Sequence, residues 1–382
     1  MTETPKTIRA HRIRLNPTPE QAAYFAKCAG IARFCFNWSL ARWKEIKASG
    51  QKASFNEIKK EFRAKIDAEF PFVREVASCV IDEAVGDVSA SISRYYKTKK
   101  TYQEAGNRKA LARLKFPGWR KRRDGEGGFA YTNIAFRVDG HNLKLGRVAE
   151  PVNMTEPVRF PGKLMSCRIT RRAGAWFASI TVETEYPKPS EGKGVTAIHF
   201  GLRVAATISD GAAITQIKPP RFLMQAEHRL AQLQRGLSSK VKGSANWLKQ
   251  KRKVGKAYQA VANARAHFQH TLTHGLVHQA ETVVFDKWEV QNLIDLPDQM
   301  LEKGFYDAGI ATIANQLEYK GDLYKTDVIA ARLKASKMCS ACGAVNEALK
   351  ISQKNWDCPS CGARHDREIN AVTNNRKYVE AV

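Results

Sequence analysis

The sequence predicts a multidomain α+β protein: a small sheet or barrel interrupted by a helical block, then an α/β unit into which a cysteine-rich ribbon is inserted. Three observations predict it. Hydrophobic periodicity switches from strand-like to helical and back within the first half. A Pro-, Gly- and Ser-rich stretch at 186–194 then separates the halves. The second half runs strand, strand, strand, helix, strand, helix, strand before two closely spaced cysteine pairs.

The opening TIRAHRIRLNP alternates as a strand, and Thr18-Pro19-Glu20 begins a helical pattern through FAKCAGIARFCFNWSLARWKEIK. Further amphipathic helices are expected around 54–66 and 72–100. The strand period then returns in AYTNIAFRV, NLKLG, LMSCRITRRAG and WFASITVETEY, separated by Gly, Asn and Asp turns. A helical block is therefore inserted after the first strand of a small sheet. Beyond the linker, VTAIHFG, VAATISDG and AAITQIK predict a three-strand meander. A long basic helical region at 221–279, the apolar strand TVVFD, a helix near 303–319 and the strand DVIAA follow. This is the order of a ribonuclease-H-like α/β domain.

Against 37 Asp and Glu the chain carries 63 Lys and Arg, a formal charge of +26, which predicts phosphate-bearing partners. The charge is clustered. Arg94 to Arg123 holds twelve basic residues and one acid, Glu104, and Arg229 to Lys256 holds nine basic residues and no acid. No apolar run approaches the ~18 residues of a membrane span, and the N-terminus lacks the apolar segment of a signal peptide, so a cytoplasmic location with no membrane partner is expected. Cys28, Cys35, Cys79 and Cys167 lie scattered in apolar stretches, as expected of reduced thiols packed as small hydrophobes.

The other four cysteines form two knuckles, Cys339-Ser-Ala-Cys342-Gly and Cys358-Pro-Ser-Cys361-Gly, separated by fifteen residues. Each presents two sulfurs from a tight turn, and together they complete the tetrahedral S4 shell of structural Zn2+. With four protein ligands no position remains for a reacting water. His267, His270, His274 and His278 recur at helical spacing, but no carboxylate or cysteine accompanies them, which favours packing or phosphate contact over a second metal site.

Segments along nearly the whole chain then resemble one family. They are HRIRLNPTPEQAAYF followed by GIARFCFNWSLA, ITRRAGAWFASITVE, HFQHTLTHGLV, NQLEYKGDLY and CPSCGARHDREINAVTNN. The family is TnpB, also called OrfB, the transposon-encoded RNA-guided nucleases related to type V CRISPR effectors. The resemblance implies a wedge-like β-barrel domain (1–16 and 115–188) carrying a helical, REC-like insertion (17–114). It further implies a RuvC-like domain (192–334 and 363–382) with the zinc ribbon at 335–362.

It also implies a centre of three carboxylates that together hold two Mg2+ ions, and there the chain departs from the pattern. The first-strand motif GIDLG reads Ala197-Ile198-His199-Phe200-Gly201, with His199 at the Asp position. An imidazole offers one lone pair and no negative charge to hard cations that prefer oxygen. At the second motif Asp286 stands in the Glu position, one methylene short, with Lys287 beside it. At the third, DRDxNA, Glu368 stands in the Asp position, one methylene too long. Asp210, Glu289 and Asp366 are possible substitute acids, but each reads more simply as a solvated carboxylate.

The expectation is then a degenerate nuclease and not an enzyme, with no functional Mg2+ pair. Elements suited to binding look intact. Trp119, Arg120, Lys121, Arg122 and Arg123 offer phosphate contacts beside an aromatic face, and Lys249, Lys251, Arg252, Lys253 and Lys256 line one side of a long helix. The implied partners are a guide RNA and double-stranded target DNA, with no small-molecule substrate. The implied role is a transcriptional repressor acting by occupancy in a prokaryotic cell. The alternatives are an active RNA-guided endonuclease with a degenerate metal site, or a guide-free DNA-binding accessory of transposition.

Overall fold

The computed structural model describes residues 5–121, 126–201, 204–286, 309–350 and 353–381, which divide into two compact units, Met1–Glu185 and Tyr186–Val382. In the first unit β1 (Lys6–Asn16) pairs antiparallel with β7 (Ala175–Glu185) from Lys6↔Glu185 to Leu15↔Trp176. With β2 (Gly127–Thr132), β3 (Phe136–Asp139), β4 (Asn142–Leu145), β5 (Val152–Met154) and β6 (Lys163–Arg172) they form one sheet in the order β2-β6-β7-β1-β5-β4-β3. The two edge strands, β2 and β3, are consecutive in sequence and joined by a three-residue 3-10 turn at Asn133–Ala135. The edges must therefore lie together, and the sheet curls into a nearly closed barrel. That turn also divides AYTNIAFRV, expected as one strand, into two.

Alternation places Ile13, Leu15, Phe129, Tyr131, Ile169, Trp176 and Ile180 on the inner face, all buried. The helical block packs on it. Helix α1 (Pro19–Ala48) opens with a reciprocal cap between Thr18 and Gln21, and its Phe25 ring sits 5.7 Å from Phe129 and 5.3 Å from Trp176. Helix α2 (Phe55–Glu69) follows. Helix α3 (Ser78–Glu104) begins later than the expected residue 72, because Pro71–Glu75 form a 3-10 turn and Ala77 is extended. Val73 and Val76 both reach the core from this broken segment. Helix α4 (Arg108–Arg113) is short. Cys28, Cys35 and Cys167 are buried, and burial pushes Cys28 and Cys35 up to about 12, as suits inert thiols.

One ion cluster ties the block to the barrel. Asp87 on α3 accepts from both terminal nitrogens of Arg168 on β6, at 2.7 and 3.1 Å, and from Arg120 at 2.9 Å. The Arg120 guanidinium also lies 3.7 Å over the Phe36 ring, and its backbone N–H and C=O both bond Asn37. Arg120, expected to contact nucleic acid, is thus committed inward: its charge is already matched by a half-buried carboxylate.

In the second unit β8 (Val195–His199), β9 (Ala206–Ser209) and β10 (Ile214–Ile217) form the meander. Helix α5 (Phe222–Ser238) and helix α6 (Ala245–Gln279) then cross over to β11 (Thr282–Asp286), which pairs parallel with β8. Helix α7 (Ile310–Tyr324) leads to β12 (Asp327–Ala331), parallel to β11. The order β10-β9-β8-β11-β12 is the expected ribonuclease-H-like sheet. A two-stranded ribbon, β13 (Asn355–Asp357) and β14 (Arg364–Asp366), precedes helix α8 (Arg367–Glu380), which packs on β8, β9 and β11. Val372 and Val379 enter the apolar cluster of Ala197 and Val284. Among the described residues no helix is long and apolar enough to cross a membrane.

Replacing Asp87 by Ala is expected to destabilise the protein by about 2–3 kcal/mol, since it strands two guanidiniums. Burial raises the Asp87 value, but Arg168 and Arg120 outweigh it and hold it below the ordinary 3.8. The contribution is therefore present above that value and lost as pH falls through the depressed folded value. Denaturant unfolding of wild type and Asp87→Ala across acid pH should show the two curves converging.

Candidate nucleic-acid and metal centres

The four knuckle sulfurs converge. Cys339 and Cys361 are 3.7 Å apart, Cys342 and Cys358 are 3.6 Å apart, and all four lie within 4.8 Å of one another. Sulfurs at the corners of a Zn–S tetrahedron stand about 3.8 Å apart, so this set fits Zn2+. Each turn closes the same way: Gly343 N–H bonds Cys339 C=O and Gly362 N–H bonds Cys358 C=O, with φ of 79° and 74° that a side chain would strain. The Cys361 backbone amide is the main cause pulling the Cys358 thiol down, while Cys361, where the Ala363 amide is outweighed by the neighbouring sulfurs, is pushed up, so the metal-free sulfurs share their protons. His365 Nε2 lies 3.0 Å from Cys339 Sγ and its ring packs tilted against Trp356, so it would support the sulfur from outside a completed shell. Among the described residues these cysteines are the one group of His, Cys, Asp or Glu gathered for a metal. His274 and His278 instead pack on each other and on Tyr324.

The three positions singled out for phosphate chemistry also meet. β8 and β11 are parallel and in register to Ile198↔Phe285, so the next residues, His199 and Asp286, stand side by side where the strands end. His199 Nδ1 is 3.0 Å from both Asp286 carboxylate oxygens, and its Nε2 is 3.3 Å from Glu368 Oε2 on α8. All three are buried, at 2, 7 and 8 % exposure. Burial lowers the His199 value, but Asp286 and Glu368 outweigh it and the net shift is upward. Burial likewise raises Glu368, more than the neighbouring positive charge lowers it. His199 thus meets one carboxylate at each ring nitrogen, and the two together favour its protonated form.

Two further members escaped the sequence reading. Asn375 donates to Asp286 Oδ1 at 3.0 Å and to the Ile198 carbonyl at 2.8 Å, which fixes the acid against strand β8. A signal existed: it falls seven residues after Glu368, on the same face of one helix. Gly201 leaves room for Glu368, because a Cβ there would meet its Oε2 at 2.5 Å. The substitute acids are otherwise engaged. Asp366 caps α8 through the amides of Glu368 and Ile369, and Asp210 holds the amides of Ala212 and Ala213. Lys287 and Glu289 lie outside the described residues.

Of the expected nucleic-acid contacts, Trp119 is 53 % exposed with the Lys44 ammonium 5.5 Å from its ring, and Lys121 is exposed. Arg122 and Arg123 lie outside the described residues. Lys249, Arg252, Lys253 and Lys256 recur at i, i+3, i+4 and i+7 on α6 and are all exposed, while Lys251 lies 4.9 Å over Trp247.

Three family models match. Residues 179–296 match OrfB IS605, described as a probable transposase; residues 4–52 match its helix-turn-helix domain; residues 311–375 match a Cas12f1-like TNB domain. The helix-turn-helix segment is here one strand and one uninterrupted helix, α1. A Streptomyces pristinaespiralis protein named for RNA-guided DNA endonuclease activity is 30 % identical over 96 % of this chain and 88 % of its own length. InsQ of Escherichia coli K12, similarly named, is 25 % identical over 97 % and 92 %. Among solved structures, a Cas12f1 complex with single-guide RNA and target DNA superposes with TM-score 0.56 at 11 % identity, covering 94 % of this chain and 83 % of that one. The mini-RNA-guided endonuclease Cas-phi3 gives 0.50 at 9 %, covering 99 % and 93 %. These two show the fold. The relatives' names correct one expectation: a chain related end to end to proteins named as endonucleases is not set apart as a non-enzyme by three altered side chains.

Metal analysis of the purified chain should find one zinc, lost in Cys358→Ser, with a fall in Tm of several degrees. At the buried cluster the His199 value is raised on folding. Its stabilisation is complete below the ordinary 6.5 and fades as pH rises through the folded value. The stability gap between wild type and His199→Gln, measured by denaturant unfolding between about pH 6 and about pH 9, should therefore shrink as pH increases; a gap that widens would exclude the imidazolium.

Proposed function

The chain belongs to the OrfB IS605 family, and from that premise we propose that it holds a guide RNA and uses it to bind matching double-stranded DNA in a sequence-specific way. The observation that carries the reading is the 30 % identity sustained along 96 % of the chain to a protein named for RNA-guided action on DNA. Physical support comes from the exposed cationic face of α6, suited to a phosphate backbone, and from Trp119, an exposed ring on which a base could stack. In this reading the wedge-like barrel (1–16 and 115–188) with its helical insertion (17–114) reads a short flanking motif. The RuvC-like domain (192–334 and 363–382) and the ribbon (335–362) hold the hybrid. Guide pairing opens the duplex, and the protein works where prokaryotic DNA is, at the nucleoid.

Occupancy of a matched duplex obstructs a polymerase, so repression of the bound gene is the first consequence. A second reading is cleavage of the bound strand, which the relatives' names favour. Asp286 and Glu368 are the carboxylates available to it, and a divalent cation would supply an activated water and charge for the scissile phosphate. With His199 between them the two do not fit a shared cation, so cleavage would require the imidazole to leave its place.

Purification from the native cells and sequencing of bound RNA should yield a discrete RNA whose free segment spells the target, and that duplex should be protected in a footprint. Absence of such an RNA would instead favour a guide-free DNA-binding accessory of transposition. Incubation of the matched duplex with Mg2+ separates the two consequences, intact DNA supporting occupancy and cut DNA the second reading. Lys249→Ala with Lys253→Ala should weaken binding to all sequences alike and flatten the salt dependence by about one log–log unit per lysine.

A further inference from the structure

Helix α8 has two working faces. At 100° per residue, Asn370, Asn374 and Lys377 fall on one side, while Glu368, Val372, Asn375 and Val379 fall on the opposite side. The first face grips the backbone around Cys339. Asn370 Oδ1 accepts from Ser340 N–H at 2.8 Å, and its Nδ2 donates to the Met338 carbonyl at 2.7 Å. Asn374 Nδ2 donates to the Met338 and Ala335 carbonyls at 2.6 and 2.9 Å, and Lys377 Nζ donates to the Ser340 carbonyl at 2.6 Å. Asn370 and Asn374 are each 2 % exposed. The backbone on both sides of one zinc ligand is therefore bound to a single helix. The second face carries the buried cluster: Glu368 against His199, Asn375 against Asp286, and the two valines against the sheet.

The ribbon also enters the helix directly. β14 ends at Asp366, which caps α8, and its His365 touches Cys339 Sγ. Glu368 thus lies three residues from a group in contact with the sulfur cluster. Without a metal, four sulfurs within 4.8 Å of one another, two pairs of them at 3.6 and 3.7 Å, would repel as thiolates or could not all be satisfied as thiols, and the knuckles would open. The grip of Asn370 and Asn374 then has no fixed partner, and α8 loses one of its two walls.

We propose that Asn370 and Asn374 are positioning residues through which metal loading at Cys339, Cys342, Cys358 and Cys361 sets the placement of Glu368 and Asn375 around His199. The coupling passes through the width of one helix, about 10 Å. It stands on packing within this unit and is independent of which nucleic acid the protein binds. Asn370 acts through both its donor and its acceptor and Asn374 through its donor, on fixed carbonyls and an amide, so neither carboxylate nor aliphatic side chains of similar size reproduce the contacts.

The full chain, zinc-loaded and after chelation, is compared with Asn370→Ala and with the double variant Asn370→Ala, Asn374→Ala. Three quantities are read: bound zinc, backbone hydrogen exchange, and the ring nitrogen NMR shifts of His199. In wild type, zinc removal should raise exchange at least about tenfold in α8 and at the ends of β8 and β11, and should move the His199 signals. In the double variant with zinc still bound, the same peptides and signals should already be displaced, and chelation should add little, as expected of a coupling that has been cut. Asn370→Ala should lie between. If zinc removal perturbs only residues 335–366, or if the zinc-loaded double variant shows the wild-type His199 signals, the coupling does not exist. If the double variant fails to fold, Lys377→Met removes the most exposed contact of the same face. A smaller shift of the same His199 signals supports the proposal, and no shift in that variant overturns it.

Discussion

Two carboxylates shut away from water repel each other and lose hydration, and the second unit accommodates them by placing an imidazole between. Asp286 on one ring nitrogen of His199 and Glu368 on the other favour its protonated form, which would give the cluster alternating charge. Around it the structure is arranged to hold that alternation. β8 and β11 run parallel in register so that His199 and Asp286 emerge together, α8 brings Glu368, Asn375 binds both the acid and the strand, and Gly201 keeps the approach clear. Removing the cation from such a cluster costs more than forming it gained, because the acids would be left buried and unmatched.

The same logic recurs in the first unit with the signs exchanged. There one carboxylate, Asp87, sits between two guanidiniums, and the barrel strand β6 and the insertion helix α3 are joined through it. Arg120 comes from a segment whose charge density suits nucleic acid, yet it is spent on this clamp while Lys121 beside it remains exposed. Charge clustering along a sequence therefore marks a basic segment without identifying which of its side chains stay free of internal ion pairs.

Relationship to named endonucleases and altered side chains at the acid positions pull in different directions, and the structure gives each its place. Kinship to the named endonucleases runs along nearly the whole chain, whereas the altered side chains gather at one buried cluster of the second unit. The ribbon is not an appendage in this arrangement: through α8 its cysteines and the buried cluster share one wall.

By itself the sequence determined a great deal. Strand alternation, helix periodicity and the 186–194 break are local patterns, so the insertion of helices into a small sheet and the meander–helix–strand order of the second half were legible. The four cysteines that converge were legible because two short turns each carry a complete pair. The positions His199, Asp286 and Glu368 could be named from their motifs. What only the tertiary structure decided is how they meet. That His199 meets a carboxylate at each ring nitrogen depends on groups 87 residues and more apart in the chain. Asn375, Gly201 and the inward turn of Arg120 were hidden for the same reason. A hydrogen-bond partner is fixed by three-dimensional position, and the period of a helix or strand constrains only which face a residue lies on, never what stands opposite.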